Sequence, residues 1–264
     1  MTTTEPQPFT LQSFPRPVTV LVAGASRGLG LAFVRHLAAG GQARRIWAGC
    51  RDPGQATALA ELAAASGVVR ALPLDVTDES SLAASAGLIA GEREPLELVI
   101  NCAGLLHRHD GLSPERRLDE IRADWLMESF AVNGAGPLLL AKHVEPLLPR
   151  RERAVFASLS ARVGSIGDNR LGGWYAYRGS KAAQNMFIRT LSIELARRAR
   201  GAICVALHPG TTDTDLSRPF QGGVPADKLF CPERAVDQLL RVIDGLGPAD
   251  NGRFFGWNGE KIPW

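Results

Sequence analysis

The 264-residue sequence predicts a single α/β domain built on a doubly wound parallel sheet of about seven strands, with helices on both faces. Three observations carry this. Short β-branched runs alternate with longer stretches of helical periodicity. The first of these runs, Val18 to Ala23, passes directly into a glycine turn and then an apolar helix. No repeat, linker or change in composition divides the chain, and its length suits one large core.

In order, the expected strands are 18–23, 45–50, 68–74, 96–100, 154–159 and 202–207, with a short last strand over 252–255. The helices expected between them cover 31–39, 55–65, a segment starting near Glu79, a long stretch over 121–148, the segment after Tyr177, and one ending near Leu246. Residues 1–17 read as a flexible or surface-draped lead-in, rich in proline and lacking the apolar core of a signal peptide. Residues 215–231 read as a variable lid.

Composition removes several function classes. The net charge of +3, from 30 basic and 27 acidic residues, is too small to argue for nucleic acid. No window approaches the length of a membrane span, so a soluble cytoplasmic protein is expected. The four cysteines lie far apart and form no disulfide framework or zinc motif. His107 and His109 have no third ligand in view, so no metal site is expected.

Chemistry concentrates at the ends of the predicted strands. Gly24-Ala-Ser26-Arg27-Gly28-Leu29-Gly30 is a strand–turn–helix element whose helix N-terminus can receive a pyrophosphate. Arg51 follows the second strand and Arg27 lies in the glycine loop. Two guanidiniums there suit a 2′-phosphate, which favours NADP(H) over NAD(H). Asp52 reads as a helix cap. Asp75 and Val76 close the third strand, where the Asp75 carboxylate can accept from an adenine amino group.

Asn101-Cys-Ala103-Gly104 ends the fourth strand with small residues that allow close backbone approach. Asn133, flanked by glycine inside a helix, implies a local distortion with a freed carbonyl. Ser160 stands at the end of the fifth strand, in the crevice where open α/β sheets bind ligands. Tyr177 and Lys181 are one helical turn apart, and an adjacent ammonium lowers a phenol's pKa. His208 is assigned no catalytic role.

Together these residues resemble the short-chain dehydrogenase/reductase family from about Val18 to the C-terminus. Gly24-x-x-x-Gly28-x-Gly30, Asn101-x-Ala103-Gly104, Asn133, Ser160, Tyr177-x-x-x-Lys181 and Pro209-Gly210 occur in family order. Arg162-Val-Gly-Ser-Ile, the approach Gly-Gly-Trp-Tyr-Ala-Tyr177-Arg and the ending Phe-Phe-Gly-Trp-Asn-Gly resemble the C-factor-like and sniffer-type carbonyl reductases more narrowly.

The resemblance implies a Rossmann-type fold and reversible hydride transfer between NADP(H) and a carbonyl or alcohol carbon. Tyr177 would be the general acid, and Lys181 would lower its pKa and hold the nicotinamide ribose. Ser160 would bind the substrate oxygen, and Asn133 would order a water relay. Pro209, Gly210 and Thr214 would lie against the cofactor. The interval from Ser160 to Tyr177 is longer than usual, which keeps Ser158 and Ser165 as alternatives to Ser160. Cys102 and Ala23 also depart from the family pattern.

Two other readings are weighed: an NADP(H)-binding signalling protein with little turnover, and a nucleotide-sugar epimerase. On a projection of 182–198, Asn185, Arg189 and Ser192 form a narrow polar strip amid apolar residues. The helix from Tyr177 to Arg198 is therefore expected to join subunits of a homodimer or homotetramer.

Overall fold

A computed structural model describes residues 9–14 and 17–264. The elements run β1 (Val18–Ala23), α1 (Gly28–Ala39), β2 (Ala43–Cys50), α2 (Thr57–Ala65), β3 (Val69–Pro73), α3 (Glu79–Gly91) and β4 (Leu98–Asn101). Then follow α4 (Ala123–Ser129), α5 (Gly136–Val144), β5 (Ala154–Leu159), α6 (Tyr175–Arg198) and β6 (Ala202–His208). The short strands β7 (Thr211–Thr212) and β8 (Leu229–Phe230), α7 (Pro232–Gly245) and β9 (Arg253–Gly256) complete the chain.

Seven strands form one sheet in the order β3-β2-β1-β4-β5-β6-β9, parallel at each pairing. The connection reverses direction between β1 and β4. That switch point opens a crevice at the carboxyl ends of the strands, which is where such sheets bind ligands.

Both faces of the sheet are covered, so its strands are apolar throughout rather than alternating. Val20, Val22, Ile46, Val155 and Val205 face one layer, packed with Phe33 and Leu37 of α1 and Leu239 of α7. Leu21, Val99, Phe156 and Cys204 face the other, packed with Leu82 of α3, Leu140 of α5 and Ile188 of α6. Each such side chain, when fully buried, stabilises the fold by about 1.5–3 kcal/mol.

The lead-in is tied down rather than flexible where it is described. Leu11 and Phe14 are 1% and 5% exposed. The Leu11 N–H donates to Gln42 Oε1, and those of Gln12 and Ser13 to Asp244 Oδ1. Apolar anchors at Leu11 and Phe14 outweigh the proline-rich composition. The rest of that lead-in, residues 1–8, 15 and 16, lies outside the described residues.

The helix expected over 121–148 is interrupted at the predicted place: residues Phe130–Ala135 form a π-helical turn around Asn133. Basic clusters at the helix ends are structural. Arg153 donates to the Leu246 and Ile243 carbonyls at the end of α7, and Arg150 and Arg198 pair with Glu145. No helix among the described residues is long and apolar enough to cross a membrane.

Candidate active site

The glycine loop between β1 and α1 lies against the loop after β4. Gly24 has φ +78°, and a Cβ there would stand 2.7 Å from the Ala103 nitrogen. At Gly30 a Cβ would come within 2.1 Å of the Gly24 carbonyl oxygen. These two positions let α1 start under the loop with its first N–H groups facing the crevice. Ser26 and Leu29 are partly buried beside them, and Arg27 is exposed.

Across the crevice, Thr214 Cγ2 lies 3.5 Å from where a Gly28 Cβ would be, and Arg27 pairs with Asp215 at 3.7 Å. The start of the expected lid thus meets the glycine loop. Gly210, with φ +76°, sits under the Phe230 and Trp257 rings, next to Pro209.

At the far end of the crevice, Arg51 is exposed at the tip of β2 and has no salt bridge among the described residues. Asp52 Oδ1 accepts from the Gly54 and Gln55 N–H groups, the capping role expected of it. Asp75 ends the next strand connection, and its Oδ1 takes the Thr77 N–H and hydroxyl. Val76 is buried against Gly136. Asp78, not Asp75, caps α3.

Asn101 donates to Ser158 Oγ at 3.0 Å, while its own Oδ1 is buried without a partner. An orphaned acceptor in the crevice, beside a glycine cradle and a helix N-terminus, fits a dinucleotide that brings donors of its own.

Asn133 binds the same loop from the other side. Its Oδ1 accepts from Leu105 N–H and its Nδ2 donates to Leu105 O, each at 2.8 Å. The Nδ2 also reaches Ser180 Oγ at 3.1 Å. Asn133 therefore clamps the β4 loop to α6, using every polar atom of its amide.

The start of α6 is built from three successive left-handed residues, Gly172 (φ 65°), Gly173 (φ 63°) and Trp174 (φ 54°). Such a conformation is costly for a non-glycine residue and points to a functional constraint. Glu115, buried at 3% exposure, holds it: its carbonyl accepts from Trp174 N–H and its Oε2 from Ala176 N–H. Arg178 adds bonds to the Gly172 and Gly173 carbonyls. The sequence gives no signal for Glu115, yet it caps the helix that carries Tyr177.

Over Tyr177, rings from three loops meet edge to face. Trp174 lies 6.1 Å from Tyr177 and 5.2 Å from Phe220, and Phe220 lies 5.7 Å from His107. The ring of His107 also contacts the Asp215 carbonyl at 3.0 Å. Residues 105–113, 165–174 and 215–231 thus converge on the phenol.

Lys181 is buried at 3% exposure, with its Nζ 5.9 Å from the centre of the Tyr177 ring. It donates to Leu159 O and to Gln184 Oε1, each at 2.8 Å. Burial pushes its pKa down to about 7. Burial raises the Tyr177 phenol well above its ordinary range, while the neighbouring ammonium donates to the Leu159 and Gln184 carbonyls.

Ser160 follows β5 directly. It is 4% exposed, and its Oγ donates to Asn185 Oδ1 at 2.7 Å. Asn185 Nδ2 in turn donates to Gly164 O, which fixes the amide's orientation. In this structure the hydroxyl proton is directed to Asn185. Ser158 accepts from Asn101 and Gln184, and Ser165 accepts from Asp168 N–H. Both are buried.

Comparison with known proteins agrees with this geometry. Residues 18–223 match the family described as short chain dehydrogenase. A 1-hydroxy-2-glutathionyl-2-methyl-3-butene dehydrogenase from Rhodococcus is 34% identical over 249 residues, covering 93% of this chain and 99% of that protein. The C-signal protein of Myxococcus xanthus is 38% identical over 170 residues, covering 64% of this chain and 93% of that one. Among solved structures, an NADPH-bound carbonyl reductase from chicken fatty liver superposes with a TM-score of 0.83 at 34% identity, covering 95% and 100% of the two chains. The carbonyl reductase Sniffer of D. melanogaster gives 0.82 at 27% identity, with the same coverage. With its glycine cradle, its Tyr177–Lys181 pair and these relatives, the chain belongs to the short-chain dehydrogenase family.

Proposed function

We propose that the protein is an NADP(H)-dependent reductase of aldehydes or ketones, working reversibly on the corresponding alcohols. The observation that carries this reading is Lys181, buried without a carboxylate partner among the described residues one helical turn beyond Tyr177. A lone buried ammonium is costly, and it recurs where its charge serves chemistry.

The nicotinamide, when bound, gives or takes the hydride. The glycine loop and the α1 N-terminus hold the pyrophosphate, Asn101 to Gly104 and Pro209 to Thr214 flank the dinucleotide, and Arg27 and Arg51 meet a 2′-phosphate. The NADPH-bound chicken relative, at 34% identity, supports that choice of cofactor.

Tyr177 keeps its proton at neutral pH, since desolvation raises its pKa. It therefore begins as an acid and donates from its hydroxyl to the carbonyl oxygen as negative charge develops there. Lys181 stabilises the resulting phenolate, and Asn133 keeps the β4 loop and α6 in register. The rings of Trp174, Phe220 and His107 exclude water from the phenol.

The test is a fluorescence titration with NADPH and NADH, followed by a panel of aldehydes and ketones. Tight NADPH binding with turnover that disappears in Tyr177→Phe supports the reading. Binding without turnover on any carbonyl overturns it in favour of a signalling role, as the name of the Myxococcus relative would have it. We also propose that copies associate through α6, on which Met186 and Ile193 are 63% and 47% exposed.

A further inference from the structure

We propose that Gln184 is a positioning residue for Lys181, its side-chain carbonyl holding the ammonium beneath Tyr177 and tying it, through Ser158, to Asn101. Gln184 is fully buried, three residues after Lys181 on the same helix. Its Oε1 accepts from Lys181 Nζ at 2.8 Å. Its Nε2 donates to Ser158 Oγ at 2.7 Å and to Leu159 O at 3.1 Å. Ser158 Oγ also accepts from Asn101 Nδ2 at 3.0 Å.

The amide has one workable orientation. Turned over, it would set an NH2 group against the ammonium and a carbonyl against Leu159 O. A leucine or valine of similar bulk would fill the space equally well between β5 and α6. A buried glutamine there makes sense only if its carbonyl has work to do, since burying a free amide is unfavourable.

The surroundings leave that work to Gln184 and one backbone carbonyl. The titratable groups facing Lys181 are Tyr177 on its own helix and Cys102 after β4. The Cys102 thiol is itself pushed up by burial and stays neutral. Arg162, on the turn packed against α6, is occupied with Asp168 and Glu260. From the π-helical turn comes Asn133, bound to Leu105 and Ser180. No carboxylate pairs with Lys181 among the described residues. Burial already brings the lysine down to about 7, so loss of one of its two acceptors would discharge it at neutral pH.

The chain contains four lysines, Lys142, Lys181, Lys228 and Lys261, so their titrations can be followed singly by NMR of the protein labelled with ¹³C at lysine Cε. That measurement needs neither cofactor nor turnover. In Gln184→Leu the Lys181 midpoint moves to lower pH by about one unit, the size of one hydrogen bond to a charged group. In Gln184→Glu it moves to higher pH. An unmoved midpoint in Gln184→Leu overturns the proposal. Should that variant not fold, Gln184→Met takes its place.

The kinetic arm rests on the reductase reading. The alkaline limb of kcat/KM for carbonyl reduction shifts with the lysine midpoint, giving a loss of about tenfold near pH 8 in Gln184→Leu. Gln184→Glu recovers the rate at that pH. A shifted NMR midpoint with an unshifted limb overturns the role in catalysis. Absence of any turnover in the wild type would sink the reductase reading, leaving the NMR arm to decide on Gln184.

Discussion

Ser160 Oγ lies 2.7 Å from Asn185 Oδ1, on a helix whose Asn185 is itself fixed by Gly164. The bond joins the end of β5 to the middle of α6, eight residues beyond Tyr177. It makes the serine a strut between sheet and helix in this structure.

Ser160→Ala is accordingly expected to cost stability of about 1 kcal/mol, the net worth of one neutral buried hydrogen bond. Its kcat should fall by less than about tenfold. Tyr177→Phe, removing the proposed general acid, should lose about 10²–10⁴ in kcat at unchanged stability. Steady-state kinetics and urea titration on both variants check this. A Ser160→Ala loss as large as that of Tyr177→Phe would restore the serine to the substrate oxygen.

Arg51 has no ion pair among the described residues at the tip of β2, whereas Arg27 shares Asp215. On the proposed reading the 2′-phosphate contact falls mainly to Arg51. Arg51→Glu should weaken NADPH binding by about ten- to a hundredfold and leave NADH within about threefold. Fluorescence titrations measure both. Equal weakening of the two dinucleotides would mean that Arg51 acts on the fold or on the pyrophosphate.

The sheet was legible because each strand is buried on both faces and so forms a continuous apolar run, as in Val18–Ala23 and Ala154–Leu159. The distortion at Asn133 was legible too, since asparagine and glycine together are poor helix formers. Residues that act through tertiary contacts were not. Glu115 reads as an ordinary loop acid until the chain brings it 61 positions along to cap α6. The polar strip of the helix, Asn185, Arg189 and Ser192, does not include Gln184. That strip faces inwards at Asn185 and Ser192, which are 3% and 1% exposed. Gln184 adjoins it, and its place three residues after Lys181 was the available signal.

The outward face of α6 carries Met186 and Ile193 instead. If copies pair through it, Met186→Glu with Ile193→Glu should convert a dimer or tetramer into a monomer at micromolar concentration. Buried apolar contacts of this size dominate such interfaces, and two charges in their centre are prohibitive. Sedimentation of the wild type and the double variant decides. A wild type that sediments as a monomer removes the interface altogether.

His208, at the end of β6, supplies a pH-dependent prediction. Its Nδ1 is buried without a partner, and burial lowers its pKa to about 4, helped by Arg162 and opposed by Glu260. The ordinary value is 6.5, so the unfolded chain binds a proton that the folded chain refuses between these two pH values. Stability is full above about 6.5 and falls as the pH drops towards about 4, by up to about 3 kcal/mol from this one group. His208→Gln removes the titration. Urea unfolding across this range should show the wild type losing stability relative to the variant as acid is added, with the difference constant below about pH 4. Parallel curves for the two proteins would show that His208 takes up its proton in the folded state as readily as in the unfolded one.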